Sequence, residues 1–156
     1  MTKKLASLAL ALVMCLSLGI QAFAAENNPM TYGKTRVFDD VTISFAKGTP
    51  MLLRSNNSLV DHAAYSGKGT FTSSFQCQPS YGSHLKLTID NLNGGDVLGE
   101  ILQNGSHYAD FLVYGGDVGN ITISSNDGSG LSTYYTVKIS PVGGSMNGYF
   151  SANQYD

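Results

Sequence analysis

Val41-Thr42-Ile43-Ser44-Phe45 alternates apolar and polar residues without a break, and that two-residue period returns along most of the 156-residue chain. Side chains alternating in this way line opposite faces of a strand, one for a core and one for water. The period recurs at Phe71–Cys77, Leu85–Ile89, Ala109–Val113, Ile121–Ile123 and Tyr135–Ile139, with apolar runs at Val97–Leu102 and Tyr149–Phe150. Gly, Asn, Asp, Ser or Pro separates the runs, and these are the residues that turn a chain. No window sustains helical spacing with a cap at each end. The nearest is 52–65, LLRSNNSLVDHAAY, where Leu59, Ala63 and Tyr65 fit a short helix near 56–65 entered from Asn56 or Asn57. Short strands at regular spacing predict an all-β fold: an antiparallel β-sandwich, jelly-roll or Ig-like, of about eight strands.

The tetrapeptide GGDV occurs twice, in NLNGGDVLGEI (91–101) and in VYGGDVGNI (113–121). A calcium loop needs several oxygen ligands at close, regular spacing, and each copy carries one carboxylate. A duplicated unit would match beyond the four residues, and the flanks differ. Each copy separates two strand-like runs, where a glycine pair supplies positive φ and Asp bonds nearby amides. The expectation is two hairpin turns.

The N-terminus has the layout of a secretory signal peptide. Lys3 and Lys4 precede an apolar run from Leu5 to Ile20, and Ala22-Phe23-Ala24 is a small-x-small cleavage site before Ala25. The run is short for a membrane span, and Met14 is too large to precede a lipidated Cys15. The signal is similar to those of bacterial, especially Gram-positive, secreted proteins. The expected organisation is a signal peptide over 1–24, a polar leader over 25–33 and one β-sandwich domain over 34–156. Secretion, free or loosely wall-associated and without a membrane anchor, is the expected destination.

Loss of the signal leaves 132 residues with seven basic and eleven acidic side chains, a net charge of −4. The acids are scattered and no basic stripe exists, which argues against nucleic acid and anionic membranes as partners. Only Cys77 survives processing, so the core must hold the fold without a disulfide. Phe71, Ser73, Phe75 and Cys77 share a strand face, which predicts a buried thiol.

Few residues suggest catalysis. Cys77 with His84 or His107 is the one conceivable thiol pair. The approach to Cys77 lacks the TLxTC-like motif of sortases, both arginines lie upstream, and no SHGC motif of L,D-transpeptidases occurs. No GxSxG elbow, HExxH or paired Cys/His spacing is present, so no metal or other cofactor is expected. His107 and Asp110 have opposite parity and should face opposite ways on one strand. Asp90, Glu100 and Asp110 lie in or beside strands, where a same-face pair would approach the geometry of a glycoside hydrolase.

Binding is the better-supported class. The chain has no Trp but nine Tyr. The binding candidates are Tyr108, Tyr114, Tyr134, Tyr135 and Tyr149, with Tyr108 and Tyr114 sharing parity. Exposed tyrosines on a sheet stack on sugars or peptides and add a hydroxyl. LKLTIDN, the Gly-rich turn after it, YYTVKIS and the closing GYFSA together resemble small secreted bacterial β-sandwich proteins. In outline, 69–152 is similar to pre-peptidase C-terminal-type accessory domains. That resemblance implies a non-catalytic extracellular role. The leading expectation is a module binding a glycan, wall polymer or protein. The alternatives are a structural or self-assembling surface protein and, third, a small jelly-roll hydrolase.

Overall fold

The computed structural model describes residues 28–49, 57–92 and 95–156; the expected signal peptide lies outside them. Among the described residues ten strands form: β1 (Lys34–Val37), β2 (Val41–Lys47), β3 (Ser58–Gly67), β4 (Phe71–Gln76), β5 (His84–Asn91), β6 (Val97–Gln103), β7 (Ser106–Val113), β8 (Val118–Ser125), β9 (Tyr134–Pro141) and β10 (Met146–Tyr155). They make a six-stranded sheet in the order β1-β2-β8-β5-β10-β3 and a four-stranded sheet in the order β4-β9-β6-β7. Every ladder within the two sheets is antiparallel. The fold is an all-β sandwich, as the alternation predicted.

The pairing is nested. β6 pairs β7, β5 pairs β8, β4 pairs β9 and β3 pairs β10. From Ser58 onward the chain is therefore one long antiparallel ribbon wrapped around itself. Of the two topologies left open by the sequence, this is the jelly roll. The β1–β2 hairpin extends the six-stranded sheet beside β8. The ribbon reverses at Asn104-Gly105, whose φ values of +50° and +83° suit a two-residue primed turn.

The alternating apolar residues meet between the sheets. Ile43, Leu85, Leu87, Ile89, Ile121 and Ile123 face Val97, Ile101, Phe111, Tyr135, Val137 and Ile139, all at most 1% exposed. Phe45 packs edge-on to Phe111 at 6.0 Å and Phe75 on Phe150 at 6.4 Å, joining the layers. Cys77 is buried in this core, as its strand-face neighbours predicted. Among the described residues no helix is long and apolar enough to cross a membrane.

Three expectations need correction. Residues 58–67 form β3, so there is no helix there; residue 56 of that expectation lies outside the described residues. β3 is an edge strand whose register with β10 shifts at Phe150–Ala152, and the shift breaks the period of two that would have revealed a strand. The GGDV copies are not hairpin turns. Each joins strands in different sheets, β5 to β6 and β7 to β8. The two corners meet at Asn91, which is fully buried. Its Nδ2 lies within 3.1–3.4 Å of the carbonyls of Gly95, Val113 and Tyr114. Third, the domain begins before Lys34. Met30 is buried, its N–H donates to Asp110 O at 2.7 Å, and its carbonyl accepts from Leu112 N–H at 3.0 Å, covering the β7 edge.

Candidate functional site

The five tyrosines do not form one platform. Tyr135 is fully buried in the core, where burial first, and then Cys77 and Asp40, raise its pKa. It presents nothing to a ligand, which corrects its place among the candidates. Tyr114 lies at the second GGDV corner, its ring edge-on to Tyr32 at 5.9 Å. Tyr134 is exposed where β9 begins, on the four-stranded sheet. Tyr149 lies on β10 of the other sheet.

Tyr108 is where the parity argument fails. Ile101 pairs with Ala109 but Leu102 pairs with His107, so Tyr108 is the extra residue of a β-bulge. Its ring stacks on Phe38 at 4.3 Å and its hydroxyl donates to Asp40 at 2.9 Å. Burial raises the Tyr108 pKa, and the bond to Asp40 adds to the shift. Burial would raise Asp40 as well, but hydrogen bonds from Tyr108 and Gln103 hold its carboxyl below the usual range. Tyr108 thus fastens the β1–β2 turn. The same bulge brings His107 to Asp110, Nε2 to Oδ1 at 3.0 Å, against the expectation that they face apart.

That contact begins a charged row across the outer face of the four-stranded sheet. Asp110 stands opposite Glu100, and Glu100 stands opposite Lys138, whose Nζ donates to it at 2.9 Å. A hollow of about 330 Å³ lies over the row, bounded also by Thr70, Leu98 and Ser140. Two of the three acids named from the sequence are therefore neighbours. Asp90 is on β5, in the other sheet. Each of the paired carboxylates is already held by a basic side chain. Among the described residues no group of three or more His, Cys, Asp or Glu side chains is placed to hold a metal ion.

The outer face of the six-stranded sheet carries a different arrangement. β10 presents Tyr149 and Tyr155, each 37% exposed. Tyr149 packs against His62 of β3 at 5.1 Å and Tyr155 against His84 of β5 at 5.4 Å. Six residues on one strand place the two tyrosines about 20 Å apart along the backbone and on one face. Ser151 and Asn153 lie between them, with Thr88 opposite Ser151 and Lys86 opposite Asn153. Thr88, Ser151 and Asn153 are largely buried although they point away from the core, and Asn153 Oδ1 finds no donor. Burial lowers the Lys86 pKa.

His62 has φ of +44°, in the left-handed region that a non-glycine residue rarely occupies. Its N–H donates to Ser151 Oγ at 3.3 Å, and the β3–β10 register shifts beside it. The bulge thus aims the His62 ring at Tyr149. Tyr155, His62 and His84 were missed as members of a site. Counting parity along Tyr149–Tyr155 would have found the second tyrosine; the histidines come from strands distant in sequence.

Comparison with family models, with curated proteins and with solved structures finds no match to this chain. Geometry alone bears on what it does.

Proposed function

We propose that the chain is a secreted, non-catalytic binding module for an extracellular glycan or cell-wall polymer, seated on the outer face of the six-stranded sheet. The observation that carries this is the pair of tyrosine–histidine ring contacts at the two ends of one polar strip. Rings give a sugar an apolar face to lie on, and amides, hydroxyls and an ammonium between them meet its hydroxyl groups. The signal-like N-terminus supports an extracellular setting. The buried Cys77 thiol offers the folded protein no intermolecular bridge, which weighs against self-assembly through a disulfide. Co-sedimentation with insoluble polysaccharides and purified peptidoglycan tests the reading. Retention of the wild type and loss with Tyr149→Ala, Tyr155→Ala supports it; no retention on any polymer contradicts it.

A small hydrolase is the second reading, favoured by the Glu100–Asp110 cross-strand pair under a hollow. Release of reducing sugar that Glu100→Gln and Asp110→Asn abolish would support it. No release from substrates the protein binds would dismiss it.

A further inference from the structure

We infer that the ligand is an extended, uncharged polysaccharide segment lying along β10, held by its interior and long enough to touch Tyr149 and Tyr155 together. This rests on the glycan-binding reading above and adds ligand length, direction and charge to it. The two tyrosines lie six residues apart on the same strand and face, about 20 Å along the backbone, a span that no single sugar ring covers. Between them the polar groups form a strip, Ser151 and Asn153 on β10 flanked by Thr88 and Lys86 on β5. Lys86 and Asp90 lie on the same face of β5, four residues or about 13 Å apart with Thr88 between them, so the strip carries one charge of each sign.

The backbone at His62 points the same way. A residue in the left-handed region at a register shift is strained, and such strain persists where the surroundings hold a side chain for a purpose. Here it sets the ring beside Tyr149 at one end of the strip. At the other end the His84 ring beside Tyr155 is fixed by Ser124, Nδ1 to Oγ at 2.8 Å. Both ends are braced, which suits a ligand that needs both.

The test titrates the full chain with cello-, xylo-, manno- and N-acetylchito-oligosaccharides of increasing length, from monosaccharide to hexasaccharide. The expected result is one series in which the monosaccharide is inert and affinity rises at least about tenfold from disaccharide to hexasaccharide. Tyr149→Ala and Tyr155→Ala should each weaken the hexasaccharide by about tenfold at unchanged melting temperature, while Tyr134→Ala on the other sheet leaves it alone. A monosaccharide that binds as tightly as its hexasaccharide would overturn the extended-chain inference and leave the glycan reading standing. Hexasaccharide binding indifferent to both tyrosines overturns the placement along β10. Binding to none of the four series, while peptidoglycan retains the protein, overturns the neutral ligand alone. No binding to any of these polymers overturns both readings.

Discussion

His62 joins backbone strain to the proposed binding face in a single residue. Its φ of +44° is tolerable for His, Asn or Asp and costly for a β-branched side chain. His62→Asn keeps the backbone and removes the ring, so its unfolding midpoint should match the wild type while glycan affinity falls. His62→Val should lose about 1–2 kcal/mol in denaturant titration. Cys77 gives a prediction in pH. Burial pushes its thiol from the usual 9.0 to about 12, so the folded state holds a proton that the unfolded chain releases near pH 9. A raised folded-state pKa stabilises fully below the unfolded value and loses that contribution as pH rises through the interval. The urea midpoint should therefore hold to about pH 8 and fall above pH 9, by up to ~1.4 kcal/mol per pH unit from this group. Burial raises Tyr65 and Tyr135 in the same sense. Cys77→Ala should flatten the first part of the fall, and the native thiol should stay unmodified by a thiol reagent at pH 8.

Among the elements, two buried amides hold the ends of the sandwich. Asn91 serves the GGDV corners, and Gln154 serves the opposite end. Gln154 Nε2 lies within 2.7–3.0 Å of the carbonyls of Gln78, Gly82 and Leu131, and its Oε1 accepts from Gln78 N–H at 2.9 Å. Asn91→Leu or Gln154→Leu would strand several buried carbonyls, and each should cost about 2–4 kcal/mol in equilibrium unfolding. Gly99 admits no side chain, because a Cβ there would lie 1.8 Å from the Phe111 ring. Gly99→Ala should lose about 1–3 kcal/mol. The strands that alternate were legible because one face of each is dry. β3 was not, because it is an edge strand with a register shift, and β1 is four mostly exposed residues. The β6–β7 bulge had no signal in the local pattern, so both the His107–Asp110 contact and the turning of Tyr108 were lost to parity counting. Asn104-Gly105 was a hairpin signal that strand spacing alone passed over.

The whole molecule divides its two outer faces by chemistry. The four-stranded face bears the row His107, Asp110, Glu100 and Lys138, in which each carboxylate contacts a basic side chain. The six-stranded face bears tyrosines and histidines around a strip of Thr88, Ser151, Asn153 and Lys86. That division follows from the jelly-roll order, which seats β10 between β5 and β3 and so gathers His62, His84, Tyr149 and Tyr155. Sandwich architecture could be read from periodicity, but strand order could not, since nothing local states which hairpin wraps over which. Tyr149 was picked for being aromatic and strand-borne; the proposed site around it draws on residues from three strands. Amide chemical-shift mapping with the best-binding oligosaccharide is the most direct test. Glycan binding along β10 should give perturbations centred on Tyr149, Ser151, Asn153 and Tyr155, extending to His62, Lys86 and Thr88. Perturbations centred on Glu100, Asp110 and Lys138 instead, or none at saturating oligosaccharide, would contradict it.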